Sequence, residues 1–138
     1  MARSSNEDRA AFLLYQGARV MQRIFHAYLD EWNITYTQYL VLRQLWQRDG
    51  QTLTELADPL DLDSGTLSPL LRRMENAGLI ERKVVDLDYR LKRLFLTQRS
   101  KDIQPQVAKM NAEMAEELQL GDQEVDALES LVNKLMAR

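Results

Sequence analysis

The stretch Leu62–Ile80, Leu-Asp-Ser-Gly-Thr-Leu-Ser-Pro-Leu-Leu-Arg-Arg-Met-Glu-Asn-Ala-Gly-Leu-Ile, limits what this chain can fold into more than any other. Leu67, Leu70, Leu71 and Met74 stand at i, i+3, i+4 and i+7, one face of a helical period. The opposite face carries Gly65, Pro69, Arg72 and Asn76, flanked by Thr66, Ser68 and Arg73. Asp63 or Ser64 is the expected cap, and Gly78 the expected stop. Pro69 is awkward inside the helix because it removes a backbone hydrogen bond. Leu79–Val85 and Leu91–Thr97 then read as strands around a polar turn, Asp86-Leu87-Asp88-Tyr89-Arg90. A helix with an apolar back and a polar, basic front, followed by a basic hairpin, suits a rod in a DNA groove with a ribbon beside it.

The remaining elements are helical. From about Glu7 to Glu31, the residues Ala11, Leu14, Ala18, Met21, Phe25, Tyr28 and Trp32 alternate steps of three and four. That stripe fits either the core face of a monomer or a helix in a dimer interface. Asn33-Ile34-Thr35 breaks the pattern, and Thr37 is expected to cap a second helix running to about Arg48. Asp49-Gly50 is a turn, and Thr52 with Glu55 resembles a capping box opening a short helix over Leu53–Ala57. Two further helices are expected, Lys101 to about Leu118 and Gln123–Met136, separated by Gly121-Asp122. Val107, Met110, Met114 and Leu118 form one apolar stripe, and Val125, Leu128, Val132 and Leu135 the other. The expected fold is mainly α with a small β-hairpin wing: a winged helix-turn-helix flanked by N- and C-terminal dimerisation helices. The expected divisions are 1–33 for the first dimerisation helix, 34–99 for the winged module and 100–138 for the C-terminal dimerisation helices.

Charge separates along the same lines. The net charge is −3, yet residues 64–101 hold nine Lys/Arg against four Asp/Glu, while the segments on either side are acidic. A positive footprint on an acidic chain is what local attraction to phosphates requires. The chain has no Cys and a single His, His26, which excludes disulfides, thiol chemistry and Cys/His zinc sites. No metal or cofactor is expected. Neither a membrane-length apolar run nor a signal-peptide pattern is found, so a cytoplasmic protein is expected. Glu116-Glu117 has no His, Cys or metal-ligand partner in a motif, so nothing supports an enzyme.

The stretches Asn33-Ile34-Thr35-Tyr36-Thr37-Gln38-Tyr39-Leu40 and Leu62-Asp63-Ser64-Gly65-Thr66-Leu67-Ser68-Pro69-Leu70-Leu71, with Asp88-x-Arg90 and Leu96-Thr97, resemble the multiple-antibiotic-resistance regulator (MarR) family. Within it they resemble the organic-hydroperoxide-sensing branch, over roughly residues 8–100. Gln98-Arg99-Ser100 follows Leu96-Thr97 where the family often has a Gly. The resemblance implies a homodimer on pseudo-palindromic double-stranded DNA, usually a repressor, with recognition helices in consecutive major grooves and wings at the minor groove. It assigns Ser64, Thr66, Ser68, Pro69 and Arg72 to the major-groove face, and Arg73 to phosphates. Arg90 would enter the minor groove with Asp88 orienting it, and Lys92 and Arg93 would lie near the DNA backbone. Against these stand plainer roles: Ser64 as a cap only, Arg72 and Arg73 as solvated surface, and Asp88–Arg90 as a turn-stabilising pair. The alternative function is a protein-interaction module on a winged-helix scaffold without operator recognition.

The hydroperoxide branch senses with a Cys near the N-terminus, hydrogen-bonded to two Tyr residues. Matching Phe12-Leu13-Leu14-Tyr15 to that pattern puts Ala11 at the Cys position, Phe25 at the first Tyr and Tyr36 at the second. Without a thiolate there is neither a sulfenic acid nor a disulfide, so a Cys-based peroxide sensor is not expected. The apolar replacement is either filled core or a pocket for an apolar or phenolic effector. By resemblance that pocket would be lined by Ala11, Phe12, Tyr15, Phe25, Tyr28, Tyr36 and Trp46.

Overall fold

The first four helices each start on a side chain that satisfies an otherwise unpaired backbone N–H. The computed structural model describes residues 4–138. Helix α1 (Asn6–Leu29) is capped by Ser5, whose hydroxyl accepts from the Asp8 N–H at 3.0 Å. A single 3₁₀ turn (Asp30–Trp32) follows, and Asn33, at φ +54°, redirects the chain. Helix α2 (Tyr36–Gln47) is capped by Thr35, two residues before the expected Thr37. Thr35 is the cap because Gln38 completes it: the Thr35 hydroxyl accepts from the Gln38 N–H, and the Gln38 side chain accepts from the Thr35 N–H at 3.0 Å. Thr37 is left inside the first turn.

Helix α3 (Leu53–Leu60) starts at Thr52 as expected but continues past Ala57. Pro59 does not stop it; one residue from the end and exposed, it forfeits a single backbone bond. The expected capping box at Thr52 is half closed. Thr52 accepts from the Glu55 N–H at 3.1 Å, but the Glu55 carboxylate turns to Arg48 and Arg93 instead. Helix α4 (Ser64–Asn76) is capped by Asp63, whose Oδ1 lies 2.7 Å from the Thr66 N–H, which places Ser64 at the first helical position. Pro69 is accommodated within it. Gly78, at φ +73°, ends the helix as expected. The Leu79 N–H donates to the Met74 carbonyl at 2.9 Å and the Gly78 N–H to that of Glu75 at 3.1 Å, a Schellman closure.

Strands β1 (Ile80–Asp86) and β2 (Leu91–Leu96) pair antiparallel from Ile80 opposite Leu96 to Val84 opposite Lys92, with a bulge at Val85. Gln51 adds a one-residue bridge to Leu94 and donates from its amide to the carbonyls of Gln44 and Arg48. The turn before it must be glycine. At φ +71°, a Cβ on Gly50 would stand 2.7 Å from the Phe95 ring.

Helix α5 (Gln98–Leu118) starts three residues before the expected Lys101, because the Thr97 carbonyl already accepts from the Lys101 N–H at 3.0 Å. The departure at Gln98-Arg99-Ser100 has a local use. Arg99 donates to the carbonyls of Ala77 and Trp32, and Ser100, fully buried, donates to that of Leu79 at 2.7 Å. Helix α6 (Asp122–Met136) completes the chain.

The chain divides into Met1–Gln104 and Pro105–Arg138. In the first unit the core is built from Leu29, Ile34, Val41, Leu42, Leu45, Leu56, Leu79 and Ile80 together with the apolar back of α4. In the second, Val107, Met110 and Met114 are buried, whereas Val125, Leu128, Val132 and Leu135 stay exposed. Among the described residues, no helix is long and apolar enough to cross a membrane.

Candidate nucleic-acid interface

Helix α4 is two-faced. Leu67, Leu71 and Met74 are fully buried and Leu70 nearly so, which fixes the rotation of the helix and leaves the other side outward. On that side Ser64, Thr66, Arg72 and Arg73 are exposed, and Ser68 and Pro69 are half-buried. Because Asp63 does the capping, the Ser64 hydroxyl is not needed by the helix. Neither Arg72 nor Arg73 forms an ion pair among the described residues. Small hydroxyl residues at the helix start permit close approach to a surface, and a guanidinium can grip a base edge or a phosphate.

The hairpin that follows is held at a fixed angle. Arg82 on β1 pairs with Glu75 on α4 at 2.9 Å. Arg93 on β2 donates to the Gly50 carbonyl at 2.9 Å and lies 3.3 Å from Glu55, which also takes Arg48 at 2.9 Å. Arg93 is thus engaged inside the module, tying the wing to the start of α3. Lys92 and Arg90 are exposed and have no ion pair among the described residues. Asp86, rather than Asp88, shapes the turn: its carboxylate accepts from the Asp88 N–H at 3.0 Å. No ion pair joins Asp88 to Arg90. Arg90 sits at φ +51°, a backbone region that residues other than glycine rarely adopt. Sequence reasoning passed over Lys83, which is exposed on β1 opposite Arg93 and stacks over the Phe95 ring at 5.2 Å. Strand alternation held the signal for it.

The residues named for an effector pocket separate into two groups. Phe25 meets Tyr36 edge-on at 4.9 Å, and Tyr39 joins both rings and continues to Trp46 at 6.2 Å. Tyr39 is buried and central to this cluster, though the sequence pointed only to its neighbours. Tyr28 is half-buried. Ala11, Phe12 and Tyr15 are elsewhere: fourteen residues of continuous helix separate Ala11 from Phe25, about 21 Å at 1.5 Å per residue. Phe12 and Tyr15 are exposed, with Arg19 over the Tyr15 ring. One chain alone does not bring the two groups together.

Two short helices, a capped helix with a free polar face and a β-ribbon braced against it define a winged helix-turn-helix protein. A family model described as the MarR family matches residues 34–90. The chain is 33% identical over 131 residues to the HTH-type transcriptional regulator MgrA of Staphylococcus aureus, covering 94% of this chain and 89% of that protein. The chain belongs to the MarR family. It is 45% identical over 92 residues to the organic hydroperoxide resistance transcriptional regulator of Bacillus subtilis (strain 168), a match spanning 67% of this chain and 63% of that relative, less than two thirds of its length. The fold superposes on a structure of reduced AbfR bound to DNA with a TM-score of 0.85 and 30% identity, covering 95% of this chain and 92% of that one. By their names the two relatives are regulators of transcription, not enzymes.

Proposed function

We propose that this chain is a sequence-specific DNA-binding regulator of transcription, acting in the cytoplasm as a homodimer and repressor on a pseudo-palindromic operator. The observation that carries this reading is the outward face of α4, where Ser64, Thr66, Arg72 and Arg73, the two arginines without an ion pair among the described residues, are exposed above a buried apolar back. In this reading Ser64, Thr66, Ser68, Pro69 and Arg72 meet base edges in the major groove and Arg73 a phosphate. Arg90 enters the minor groove, where negative potential is strong, with Lys92 at the backbone. Arg93 acts indirectly, by holding the wing.

The dimer supplies what the single chain lacks. Phe12, Leu13 and Tyr15 on α1, and Leu128, Val132 and Leu135 on α6, are exposed apolar residues at helical spacing. A second copy covers them, in keeping with dimerisation segments at 1–33 and 100–138 around a reading module at 34–99. Release from DNA is not driven by a cysteine thiol, since the chain has no Cys. An apolar or phenolic effector at the Phe25–Tyr36–Tyr39–Trp46 cluster, closed by the partner copy's α1, is the alternative trigger.

Gel shift with the chain's own promoter fragment tests the reading. Operator should be preferred over scrambled DNA. With six to ten phosphate contacts, affinity should fall about a thousandfold or more between roughly 50 and 200 mM salt. Equal, weak binding to both DNAs would refute it.

A further inference from the structure

We propose that the wing carries an apolar edge, centred on Leu87 and Tyr89, that packs against the deoxyribose walls of the minor groove and makes the protein prefer A·T pairs at the outer flanks of its operator. The proposal rests on the DNA-binding reading and adds a source of specificity to it. Leu87 is 85% and Tyr89 84% exposed, more than any other large apolar side chain among the described residues. Val84, Val85 and Leu91 continue the apolar surface along the ribbon. A hairpin tip with no partner is normally polar, because exposed apolar groups gain nothing from water. Here Asp86 turns its carboxylate inward to the Asp88 and Tyr89 N–H groups, and the two apolar side chains are what project.

The chemistry around them selects the occupant. Arg90 and Lys92 flank the apolar edge with no ion pair among the described residues, while Lys83 is shared with Glu81 at 3.7 Å and Asp86 is occupied with the turn, leaving Asp88 as the acidic group at the tip. A surface both cationic and apolar fits the minor groove, with its negative potential and its sugar walls, better than it fits an acidic protein face or bulk water. The reach fits as well. Seven strand residues carry the tip about 23 Å from the end of α4. Half a turn of DNA, the step from a major groove to the next minor groove, is about 17 Å. A·T pairs follow from the same contact: their groove is narrow enough for both walls to be touched. Guanine, by contrast, would aim its N2 amino group at the Leu87 side chain and the face of the Tyr89 ring, neither of which offers it an acceptor of ordinary strength.

The test uses the full chain and the duplex it selects from a random-sequence pool, with binding followed by fluorescence anisotropy. The flanking A·T pairs are replaced by G·C, or by inosine·C, which has the major-groove edge of G·C but lacks the N2 amino group. Wild type should bind the G·C-flanked duplex about fivefold or more weakly and recover with inosine·C. A Leu87→Ser/Tyr89→Ser variant, unchanged in melting temperature because both side chains are solvated, should bind all three duplexes alike and the parent duplex about fivefold or more weakly. A variant with wild-type affinity and wild-type flank discrimination overturns the proposal while leaving operator binding standing. So does phosphatidylglycerol-vesicle binding that only the wild type shows, with DNA affinity equal in both. Wild type that selects no sequence at all removes the DNA-binding reading, and this proposal with it.

Discussion

Replacing Arg93 with Ala separates a residue that grips DNA from one that holds the gripping element. In the chain its guanidinium donates to the Gly50 carbonyl at 2.9 Å and stands 3.3 Å from Glu55, both side chains being about one third exposed. At that exposure the ion pair contributes only about 0.5 kcal/mol. The charged hydrogen bond to a backbone carbonyl adds about 1–1.5 kcal/mol. The loss is therefore about 1.5–2 kcal/mol, which for a chain of this size lowers the melting temperature by about 5–8 °C. DNA affinity should fall because the wing loses its bracing, yet the slope of log affinity against log salt should hold, since no phosphate contact is removed. Arg73→Ala should do the reverse, leaving the melting temperature in place and reducing the slope by about 1.8 for the two protomers of a dimer. Melting by circular dichroism and a salt titration of operator binding read both quantities. An Arg93→Ala protein with an unmoved melting temperature and a slope reduced by about 1.8 would refute the argument and return Arg93 to the DNA backbone.

Gly50→Ala should destabilise the chain by about 2–4 kcal/mol, because the added methyl meets the Phe95 ring at a positive φ; chemical denaturation measures it, and a loss under 1 kcal/mol would contradict the geometry. Arg90→Gly should keep or slightly raise thermal stability by relieving the left-handed backbone, about 1 kcal/mol, while operator affinity drops at least tenfold in a gel shift. Treatment with cumene hydroperoxide should leave the protein–operator complex intact, because no thiol is present to oxidise; rapid release would show a sensor of another kind. Leu128→Glu/Val132→Glu should convert a dimer to monomers in light scattering, with the helical content retained.

Much of this was legible in the residues, for a physical reason. The apolar period of Leu67, Leu70, Leu71 and Met74 dictates both the helix and its rotation, since only one face can be buried, and the chain buries that face. Gly78 likewise announced the helix end through the only backbone region that a Schellman closure accepts. Competition among similar side chains was harder to resolve. Thr35 and Thr37 could each cap α2, and the choice fell to Thr35 because Gln38 can reach back to it. Glu55 was drawn from its capping box by two arginines, one of them 38 positions away in sequence, a contact that no local pattern encodes. The same long-range pairing engages Arg93 inside the module. A count of positive charge in residues 64–101 cannot tell a braced arginine from a free one.

The aromatic residues raise a different problem, because their grouping depends on how many chains are considered. Resemblance placed Ala11, Phe12 and Tyr15 with Phe25, Tyr36 and Trp46, but α1 is a continuous helix that keeps Ala11 about 21 Å from Phe25. Such a site can close only if a second α1 runs antiparallel to the first, bringing one copy's Ala11 to the other's Phe25. On the dimer reading, an effector there would touch both copies, and its binding energy would depend on their relative placement. That placement also sets the distance between the two α4 helices, which must match successive major grooves about 34 Å apart. A small shift at the aromatic cluster would then spoil the fit of both reading heads without any change within either winged module. Such a trigger needs no sulfur, only a ligand that binds one spacing of the two copies better than the other. Replacing Phe25 with Ala should therefore alter effector sensitivity more than it alters operator affinity in the effector's absence.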